Sequence, residues 1–88
     1  SEMESKYINE VSRKNIKALV DSLQRIKWQE DDINQCIKDF VKNNGLKFPE
    51  IAMPLRVRLV GNLNTPNIGS IIFVLGFDEL KVRVSDCL

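Results

Sequence analysis

The feature that most constrains this chain is the spacing of its apolar residues. Between Ile33 and Val41, apolar side chains occur at positions i, i+3, i+4, i+7 and i+8, which places them on one face of an α-helix. Asp31, or a neighbouring residue, can cap the start of this helix by accepting a backbone N–H. Asn44-Gly45 can close it, because glycine tolerates the left-handed geometry that follows a helix. We therefore predict an amphipathic helix between these limits.

The preceding segment has similar spacing. Its apolar residues recur at intervals close to three and four, which predicts one helix from about Lys6 to Arg25. Trp28 follows in the linker, where a tryptophan usually fills the junction between helices, so we expect it to be largely buried. The apolar stripe consists of Ile8, Val11, Ile16, Leu19, Val20, Leu23 and Ile26.

The segment Leu55–Leu59 alternates apolar and basic residues, and a period of two is typical of a strand. A lone strand would have no partner, however, and a sheet needs more than one. A helix of about seven residues, opened by Pro54 and ended by Gly61, is the better alternative, although periodicity alone leaves the two nearly even. In that helix the two leucines share a face, and Arg56 and Arg58 project elsewhere.

Two further helices follow. Thr65-Pro66 combines a capping residue with a proline at the first helical position. It predicts a helix over Pro66–Leu75, whose apolar composition requires it to be largely buried. A glycine ends this helix, and a last helix runs over Asp78–Val84, with acidic residues first and basic residues later, as the helix dipole favours. The chain is thus predicted to be all-α, a small bundle of about five helices in a single 88-residue domain.

Composition excludes several kinds of chemistry. The chain has no histidine, which removes histidine-based triads, general bases and metal ligands. It has neither a pair of CxxC motifs for zinc nor a glycine-rich phosphate loop. Asp31 and Asp32 fall at a helix start, where acids favour the dipole, so a catalytic carboxylate pair is the weaker interpretation. We expect no enzymatic activity, no metal and no cofactor in this chain.

Net charge and cysteine content limit which binding partners and which cellular compartment fit this chain. The formal net charge is +1, whereas a duplex DNA partner usually requires a clearly basic face. No apolar run approaches the roughly 20 residues of a membrane span. Cys36 lies in a helical apolar pattern and is expected in the core, while Cys87 is interpreted as a free thiol near the C-terminus. These features fit a reducing cytosol.

One stretch combines positive charge with a loop. From Ile51 to Phe77 there is no acidic residue, and the only charged residues are Arg56 and Arg58. A loop that opens a helix lies within this stretch, at Asn64-Thr65-Pro66, and a helix start offers free N–H groups. Two arginines near such a loop can hold a phosphate or contact an unpaired base. On the residues alone, the favoured interpretation remains that both arginines are surface residues of an amphipathic segment.

Several motifs together resemble the end of the glutamyl-tRNA synthetases of the bacterial type. Met53–Gly61 (MPLRVRLVG) is similar to the family's "PLR-x-x-L-x-G" segment. Thr65–Ile68 (TPNI) matches its Ser/Thr-Pro loop, and Val74–Gly76 (VLG) matches the "LG" that closes an apolar helix. The order and spacing of these motifs make the resemblance specific, whereas no single motif would.

The resemblance extends beyond these motifs. Arg83 occupies the place of an arginine in the family's final charged helix, and Trp28 matches a tryptophan that opens a helix. Gly45–Lys47 matches a Gly-Leu-Lys before the "PLR" segment. The matched region is roughly Trp28 to Val84, and the first 27 residues carry no family motif.

The resemblance implies a helical cage that binds the anticodon, and it favours helix over strand for the "PLR" segment. It implies that the chain is the C-terminal anticodon-binding subdomain of a longer synthetase, in which a catalytic domain uses ATP and Mg²⁺ to charge glutamate tRNA. The chain itself would be a monomer that binds the anticodon loop in the cytoplasm, with no DNA or membrane partner. A helical protein-interaction module or a structural cap without RNA contact is the alternative.

Individual roles are implied as well. Met53 departs from the family's usual polar residue, so packing against a base is expected there rather than a hydrogen bond, and Asn67 stands where glycine is common. We expect Thr65 to cap the helix that Pro66 opens, and Arg56 to be exposed near that loop. The positions implied to contact anticodon bases are Arg56, Thr65, Pro66 and Ile68. The positions expected close to the RNA are Met53, Arg58, Asn64 and Asn67.

Overall fold

The computed structural model describes residues 2–64 and 66–88, apart from the side chain of Met3. Throughout these residues the regular structure is helical, which confirms the all-α prediction. Six α-helices are described rather than about five, followed by one turn of 3-10 helix at Ser85–Cys87. The α-helices are α1 Glu2–Tyr7, α2 Glu10–Leu23, α3 Glu30–Asn43, α4 Phe48–Val60, α5 Ile68–Leu75 and α6 Phe77–Arg83.

The first predicted helix is two helices. The chain leaves helical geometry at Asn9, whose φ and ψ of −145° and −178° are extended. Asn9 Oδ1 accepts a hydrogen bond from the Ser12 backbone N–H at 3.0 Å, and the Asn9 N–H donates to Ser12 Oγ at 2.9 Å. This reciprocal cap supplies side-chain partners for backbone N–H groups at the start of a helix. It therefore stabilises a new helix that begins at Glu10. The prediction of one helix over 6–25 was therefore wrong.

The break also changes which residues face the core. Along α2 the buried side chains begin at Ser12 and continue through Ile16, Leu19 and Leu23, at intervals of four, three and four. Val11 lies one residue before this stripe and is 67% exposed. Its assignment to the apolar stripe was wrong, because adjacent residues on a helix point about 100° apart.

Helix α3 is the element that the sequence described best. Ile33, Ile37 and Phe40 are buried, and Gly45 follows the helix end with a φ of 63°. The start differs from the prediction in one detail: Gln29 is the N-cap residue and makes no side-chain cap hydrogen bond with the described residues. Asp31 instead lies within the first turn, where its carboxylate favours the positive end of the helix dipole.

Helix α4 is longer than predicted. It has 13 residues rather than about seven, and Pro54, expected at its first turn, lies inside it. Pro49 occupies the start instead, where a missing N–H has no cost. Gly61 ends the helix as predicted, with a left-handed φ of 66°. The helix tolerates its internal proline because packing surrounds it: the buried residues are Ile51, Ala52, Pro54, Leu55, Val57 and Leu59.

Helix α5 begins two residues later than predicted. Asn67, not Thr65, is its N-cap residue, and Pro66 precedes the helix. Thr65 itself lies outside the described residues. The expectation that α5 is largely buried holds for one face only, since Ile68 and Ile72 are buried whereas Val74 is 81% exposed. A glycine separates α5 from α6 as predicted.

The helices meet in one hydrophobic core, which buries residues of every helix from α2 to α6. Trp28 packs at its edge, with its ring 5.8 Å from the Phe77 ring in an edge-on arrangement and its Nε1 donating to the Phe73 carbonyl at 3.4 Å. It fills a junction between helices, but it is half-buried rather than largely buried. Cys36, expected in the core, is only half-buried and packs against the core from its edge. Cys87 is a free thiol as predicted, and it is buried in the core.

Candidate nucleic-acid interface

The outer face of α4 carries the arginine that the sequence singled out. Met53, Arg56 and Val60 are separated by three and four residues, so they share one face of the helix. The opposite face, with Ile51 and Leu55, is buried in the core. Arg56 is half-buried rather than fully exposed as predicted, and Val60 beyond it is 44% exposed. The packing of α4 therefore directs Arg56 away from the core.

The loop after α4 leads back towards the start of that helix. Gly61 reverses the chain, and Asn62 Oδ1 accepts from the Asn64 N–H at 2.7 Å, which tightens the turn. At the far end of the loop, Asn67 lines the same groove as Phe48, the first residue of α4. The described residues at the two ends of the loop thus lie near the two ends of α4, and Arg56 falls between those ends along the helix.

The start of α5 is fixed by Asn67. Its Oδ1 accepts from the Gly69 N–H at 2.8 Å and from the Ser70 N–H at 3.3 Å. An asparagine before an apolar run is itself a helix-start signal, but the adjacent Thr65-Pro66 is an equally good one in sequence. The structure places the start after the asparagine, which leaves Pro66 in the loop.

The remaining predicted loop positions divide into surface and core. Asn64, Pro66 and Asn67 are exposed, so their atoms are accessible to a ligand. Ile68 is only 1% exposed and belongs to the hydrophobic core. It supports the loop from beneath rather than offering an open apolar surface.

Arg58 lies in a different environment from Arg56. Its guanidinium is 2.6 Å from the Asp86 carboxylate and 3.5 Å from that of Glu4, and its side chain is only 19% exposed. Asp86 also pairs with Arg13 of α2, at 3.6 Å. This cluster connects α1, α2 and α4 to the 3-10 helix at the end of the described chain. Arg58 is engaged by acidic partners of the fold, whereas the sequence had grouped it with Arg56.

Arg83 has a role that sequence reasoning did not assign. Its guanidinium donates to the Leu59 carbonyl near the end of α4 and its Nε is 3.0 Å from Glu79 of its own helix. Carbonyls in the last turn of a helix lack intrahelical partners and attract cations. Arg83 therefore holds α6 against the end of α4, immediately before the loop. No local pattern could reveal this contact, because the two residues are 24 positions apart.

Taken together, the outer face of α4 and the loop carry hydrogen-bond donors from one stretch of the sequence. The outer face of α4 and the loop at its end lie within the stretch from Ile51 to Phe77 that contains no acidic residue. A guanidinium offers a planar set of N–H donors at any physiological pH. Such a surface can bind a phosphate or the edge of an unpaired base.

Other classes of site are not formed by the described residues. Among them, no group of three or more histidine, cysteine, aspartate or glutamate side chains is placed to hold a metal ion. None of the described helices is both long enough and apolar enough to cross a membrane.

The chain is similar to proteins of known family. A family model described as "Anticodon binding domain" matches residues 1–88. A glutamate–tRNA ligase of Nitrosomonas eutropha is 36% identical over 86 residues, which are 98% of this chain and 19% of that protein. Its counterpart in Nitrosomonas europaea is 38% identical over 83 residues, or 94% of this chain and 18% of that protein. The chain thus spans less than a fifth of the length of these relatives.

A solved structure shows the same fold. The crystal structure of a glutamate tRNA ligase from Elizabethkingia meningosepticum, in complex with its amino acid, matches with a TM-score of 0.89. The match covers 99% of this chain and 17% of that one, at 21% sequence identity. The family resemblance expected from the sequence motifs is confirmed by these matches.

Proposed function

This chain belongs to the anticodon-binding domain family, and we propose that it recognises the anticodon loop of a glutamate tRNA as part of a glutamate–tRNA ligase. Its relatives carry that ligase name, and the chain corresponds to about a fifth of their length. The reaction itself, ATP-dependent charging of the tRNA with glutamate, would take place in a catalytic part of the longer protein. ATP and Mg²⁺ would act there. A monomer in the cytosol is the form and compartment that fit this function.

The observation that carries the proposal is the position of Arg56. It projects from the outer face of α4, between the ends of the loop, in a stretch without acidic residues. Single-stranded RNA loops are recognised by splaying out bases and hydrogen-bonding their edges. The guanidinium of Arg56 supplies paired donors for a base edge or a phosphate.

Neighbouring positions complete the contact. Met53 is half-buried one turn before Arg56 on the same face and can pack against a base without hydrogen-bonding it. In the loop, Thr65 contributes a hydroxyl, and Pro66 contributes a rigid apolar surface that lowers the cost of ordering the loop on binding. Asn64 and Asn67 add exposed amides.

Two of the residues implied by the resemblance act indirectly in this proposal. Ile68 is buried and holds the loop in place through the core. Arg58 is paired with Asp86 and Glu4 and stabilises the helix that presents Arg56. The direct contacts are therefore assigned to Met53, Arg56 and the loop.

The test is a titration of the isotopically labelled 88-residue chain with anticodon stem-loops, followed by NMR so that weak binding is detected. One stem-loop carries the glutamate anticodon, and a matched control carries a non-cognate anticodon on the same stem. Each titration is run at low and at high salt, because phosphate contacts weaken with salt whereas base-specific preference largely persists. We expect cognate-preferring shifts at residues of α4 and of the loop.

The outcome that would contradict the proposal is equally specific. Equal affinity for both stem-loops, with shifts lost entirely at high salt, would indicate nonspecific electrostatic binding. No binding by this chain, either alone or within the longer ligase, would favour a structural role. Shifts confined to helices other than α4 and α5 would place the RNA elsewhere.

A protein-interaction module is the second class of function that the sequence left open. A single large apolar patch would favour it. Among the described residues the exposed large apolar side chains come from α2, α4, α5, α6 and the last residue. We favour RNA binding because the matching family model describes an anticodon-binding domain.

A further inference from the structure

A polar groove lies beside the proposed anticodon-binding loop, on the side away from Arg56 along α4. It has a volume of about 320 Å³ and is formed where α3, the start of α4 and the start of α5 meet. Of the residues that line it, only Asn67 belongs to a sequence motif discussed above, and no motif assigns a role to the groove itself. Its lining residues are Asp31, Asn34, Gln35, Lys38, Phe48 and Asn67.

We propose that this groove holds one further unpaired nucleotide of the same RNA loop, with its base stacked on Phe48. Amide side chains would contact the edge of that base, and Lys38 would contact its phosphate. The inference rests on the proposed function, since it assumes that the adjacent loop binds RNA. It adds a second base-binding position and names residues of α3 and of the first turn of α4 as part of the interface.

Phe48 provides the stacking surface. It is the first residue of α4 and is 41% exposed, although α4 otherwise directs most of its apolar side chains into the core. A flat aromatic ring at a groove that is otherwise polar suits a nucleobase, because every base offers a π-face. A purely apolar ligand would find few apolar contacts there besides Phe48. A base can stack on the phenylalanine ring and also form hydrogen bonds with the polar residues that line the groove.

Amides line the edge where a stacked base would present its polar atoms. Asn67 Oδ1 accepts the first N–H groups of α5, so its –NH₂ is the part that remains to donate. Gln35 donates through Nε2 to Asp39 at 2.9 Å, which leaves its carbonyl oxygen as the acceptor. The groove therefore offers donors and acceptors, as recognition of a base edge requires.

The wall of the groove is held firmly between α3 and α5. A Cβ atom placed on Gly69 would lie 2.1 Å from Asn34 Oδ1, so the two helices approach this closely only because residue 69 is glycine. Asn34 is thereby fixed against the first turn of α5, next to Asn67. A preformed wall lowers the cost of ordering on binding.

Charge within the groove is separated along α3. Lys38 and Asp31 are seven residues apart on one face, or roughly 10 Å along the helix axis. A phosphate would therefore lie at the Lys38 end, where it gains an opposite charge and avoids the carboxylate. The carboxylate of Asp31 can accept only, which suits the amino group of a base rather than a phosphate.

Continuity with the loop identifies the occupant. Asn67 belongs both to the groove and to the loop of the proposed anticodon contact. An RNA strand bound along this loop would pass from the Arg56 side to the Phe48 side without leaving the protein surface. A nucleotide next to the bases held at Arg56 is therefore the ligand that fits.

The first test compares phenylalanine variants for binding of the glutamate anticodon stem-loop. We expect Phe48→Ala to weaken binding about five- to hundredfold, the range of one lost base–aromatic stack. Phe48→Trp should retain affinity because it keeps a flat ring, whereas Phe48→Leu should resemble the alanine variant. Phe73→Ala is the matched control, because Phe73 is 38% exposed on α5 and does not line the groove. Circular dichroism establishes that each variant is folded.

A second test locates the nucleotide. Stem-loops with a single abasic position are titrated against the wild-type chain and against Phe48→Ala. One loop position should matter for the wild-type chain and lose its effect in Phe48→Ala, because the ring and the base contribute only together. Arg56→Ala should abolish the effect of a different position.

The phosphate contact has its own readout. Lys38→Ala should lower the slope of log affinity against log salt by about 0.7, the value for one phosphate contact with a single strand. Lys14→Ala is the control, because Lys14 lies on α2 in an exposed pair with Glu10 at 3.4 Å. Equal effects of the two lysine variants would overturn the assignment of Lys38.

The outcomes separate this inference from the proposed function. If Arg56→Ala weakens binding while Phe48→Ala, Phe48→Leu and Lys38→Ala do not, the groove is not part of the interface and the proposed function stands. If Phe48→Leu retains full affinity, the ring serves as an apolar contact and stacking is rejected. If neither Arg56→Ala nor Phe48→Ala has any effect, both proposals are rejected.

Discussion

Arg56 and Arg58 are two residues apart on one helix, yet they lie on different faces of it. Arg58 is 19% exposed and paired with Asp86 and Glu4, so its charge is compensated within the fold. Arg56 is half-buried and shares the outer face of α4 with Met53. Two residues along an α-helix correspond to a rotation of about 200°, which is why the two side chains point in different directions.

The comparison separates a packed face of α4 from the outer face to which we assign the proposed RNA contact. The inner face of α4 is buried against the core, and one flank is tied by Arg58 to α1 and to the end of the chain. The outer face instead carries Met53, Arg56 and Val60, of which the first two are half-buried and Val60 is 44% exposed. The two arginines therefore belong to different faces of the same helix.

The largest expected effect comes from the inner face. Leu55 is 1% exposed in the core, so Leu55→Ala should lower the free energy of unfolding by about 2–5 kcal/mol through lost burial and a cavity. Val60→Ala, on the outer face at 44% exposure, should change it by less than about 0.5 kcal/mol. Urea denaturation followed by circular dichroism measures both values. Similar losses for the two variants would contradict the division of α4 into an inner and an outer face.

The second prediction separates the two arginines by function. Arg56→Ala should weaken binding of the glutamate anticodon stem-loop by about 1–3 kcal/mol, because a hydrogen-bonding fork is lost at the interface. Arg56→Lys should recover only part of that loss, since an ammonium keeps the charge without the planar donors. Isothermal titration calorimetry gives the affinities. Full recovery by lysine would show that charge alone accounts for the role of Arg56.

The third prediction concerns the partner arginine. Arg58→Ala should lower the free energy of unfolding by about 1–2 kcal/mol, between the values for exposed ion pairs and for buried charged hydrogen bonds. Part of the loss should disappear at high salt, because the carboxylates are partly exposed. RNA affinity should stay within about twofold of the wild type when measured well below the unfolding transition. A large loss of RNA affinity in a folded Arg58→Ala chain would remove the contrast with Arg56.

The spacing of apolar residues predicts some helices of this fold better than others. The helical spacing of Ile33 to Val41 predicts α3 correctly, because that helix buries one face only. Spacing described α4 poorly, because it is surrounded by other helices and buries Pro54 and Val57 as well as its main face. A residue pattern reports one buried face, and it becomes ambiguous when an element is covered on several sides.

Long-range contacts were beyond the reach of sequence patterns. Nothing near Arg58 in the chain indicates Asp86 or Glu4, which lie 28 and 54 positions away. The break at Asn9 had a local signal, because Asn9 and Ser12 have the spacing of a reciprocal cap, but continuous apolar spacing on both sides concealed it. At the candidate site the motifs predict roles for the loop and Arg56, whereas the groove beside Phe48 depends on the meeting of three helices.

The fourth prediction concerns the end of the loop, where α5 starts. Asn67→Ala should lower the free energy of unfolding by about 1 kcal/mol, because Asn67 caps α5. Asn67→Gly should cost only a few tenths of that, since glycine is tolerated at this position. Thr65→Ala should leave thermal stability unchanged and reduce RNA affinity. Thermal unfolding decides the point: a loss for Thr65→Ala as large as that for Asn67→Ala would restore the threonine as the helix cap.

The smallest expected effect is a change in the pKa of the Cys87 thiol when Arg58 is replaced. Burial is the main cause that raises the pKa of the Cys87 thiol, and the Asp86 carboxylate adds to it, whereas Arg58 and Arg13 act in the opposite direction. Because the folded-state pKa is raised, the contribution of the thiol to stability is complete below the unfolded-state pKa of about 8.5 and is lost as the pH rises through the folded-state value.

Arg58→Ala should raise the Cys87 pKa further and move the pH profile of its alkylation to higher pH. Arg56→Ala should leave the profile in place, because Arg56 is not among the groups that affect this thiol. Mass spectrometry of alkylated Cys87 across a pH series, with the half-buried Cys36 as internal reference, measures the shift. Equal shifts in the two variants would mean that the arginines act on Cys87 through the stability of the whole fold rather than through the local charge of Arg58.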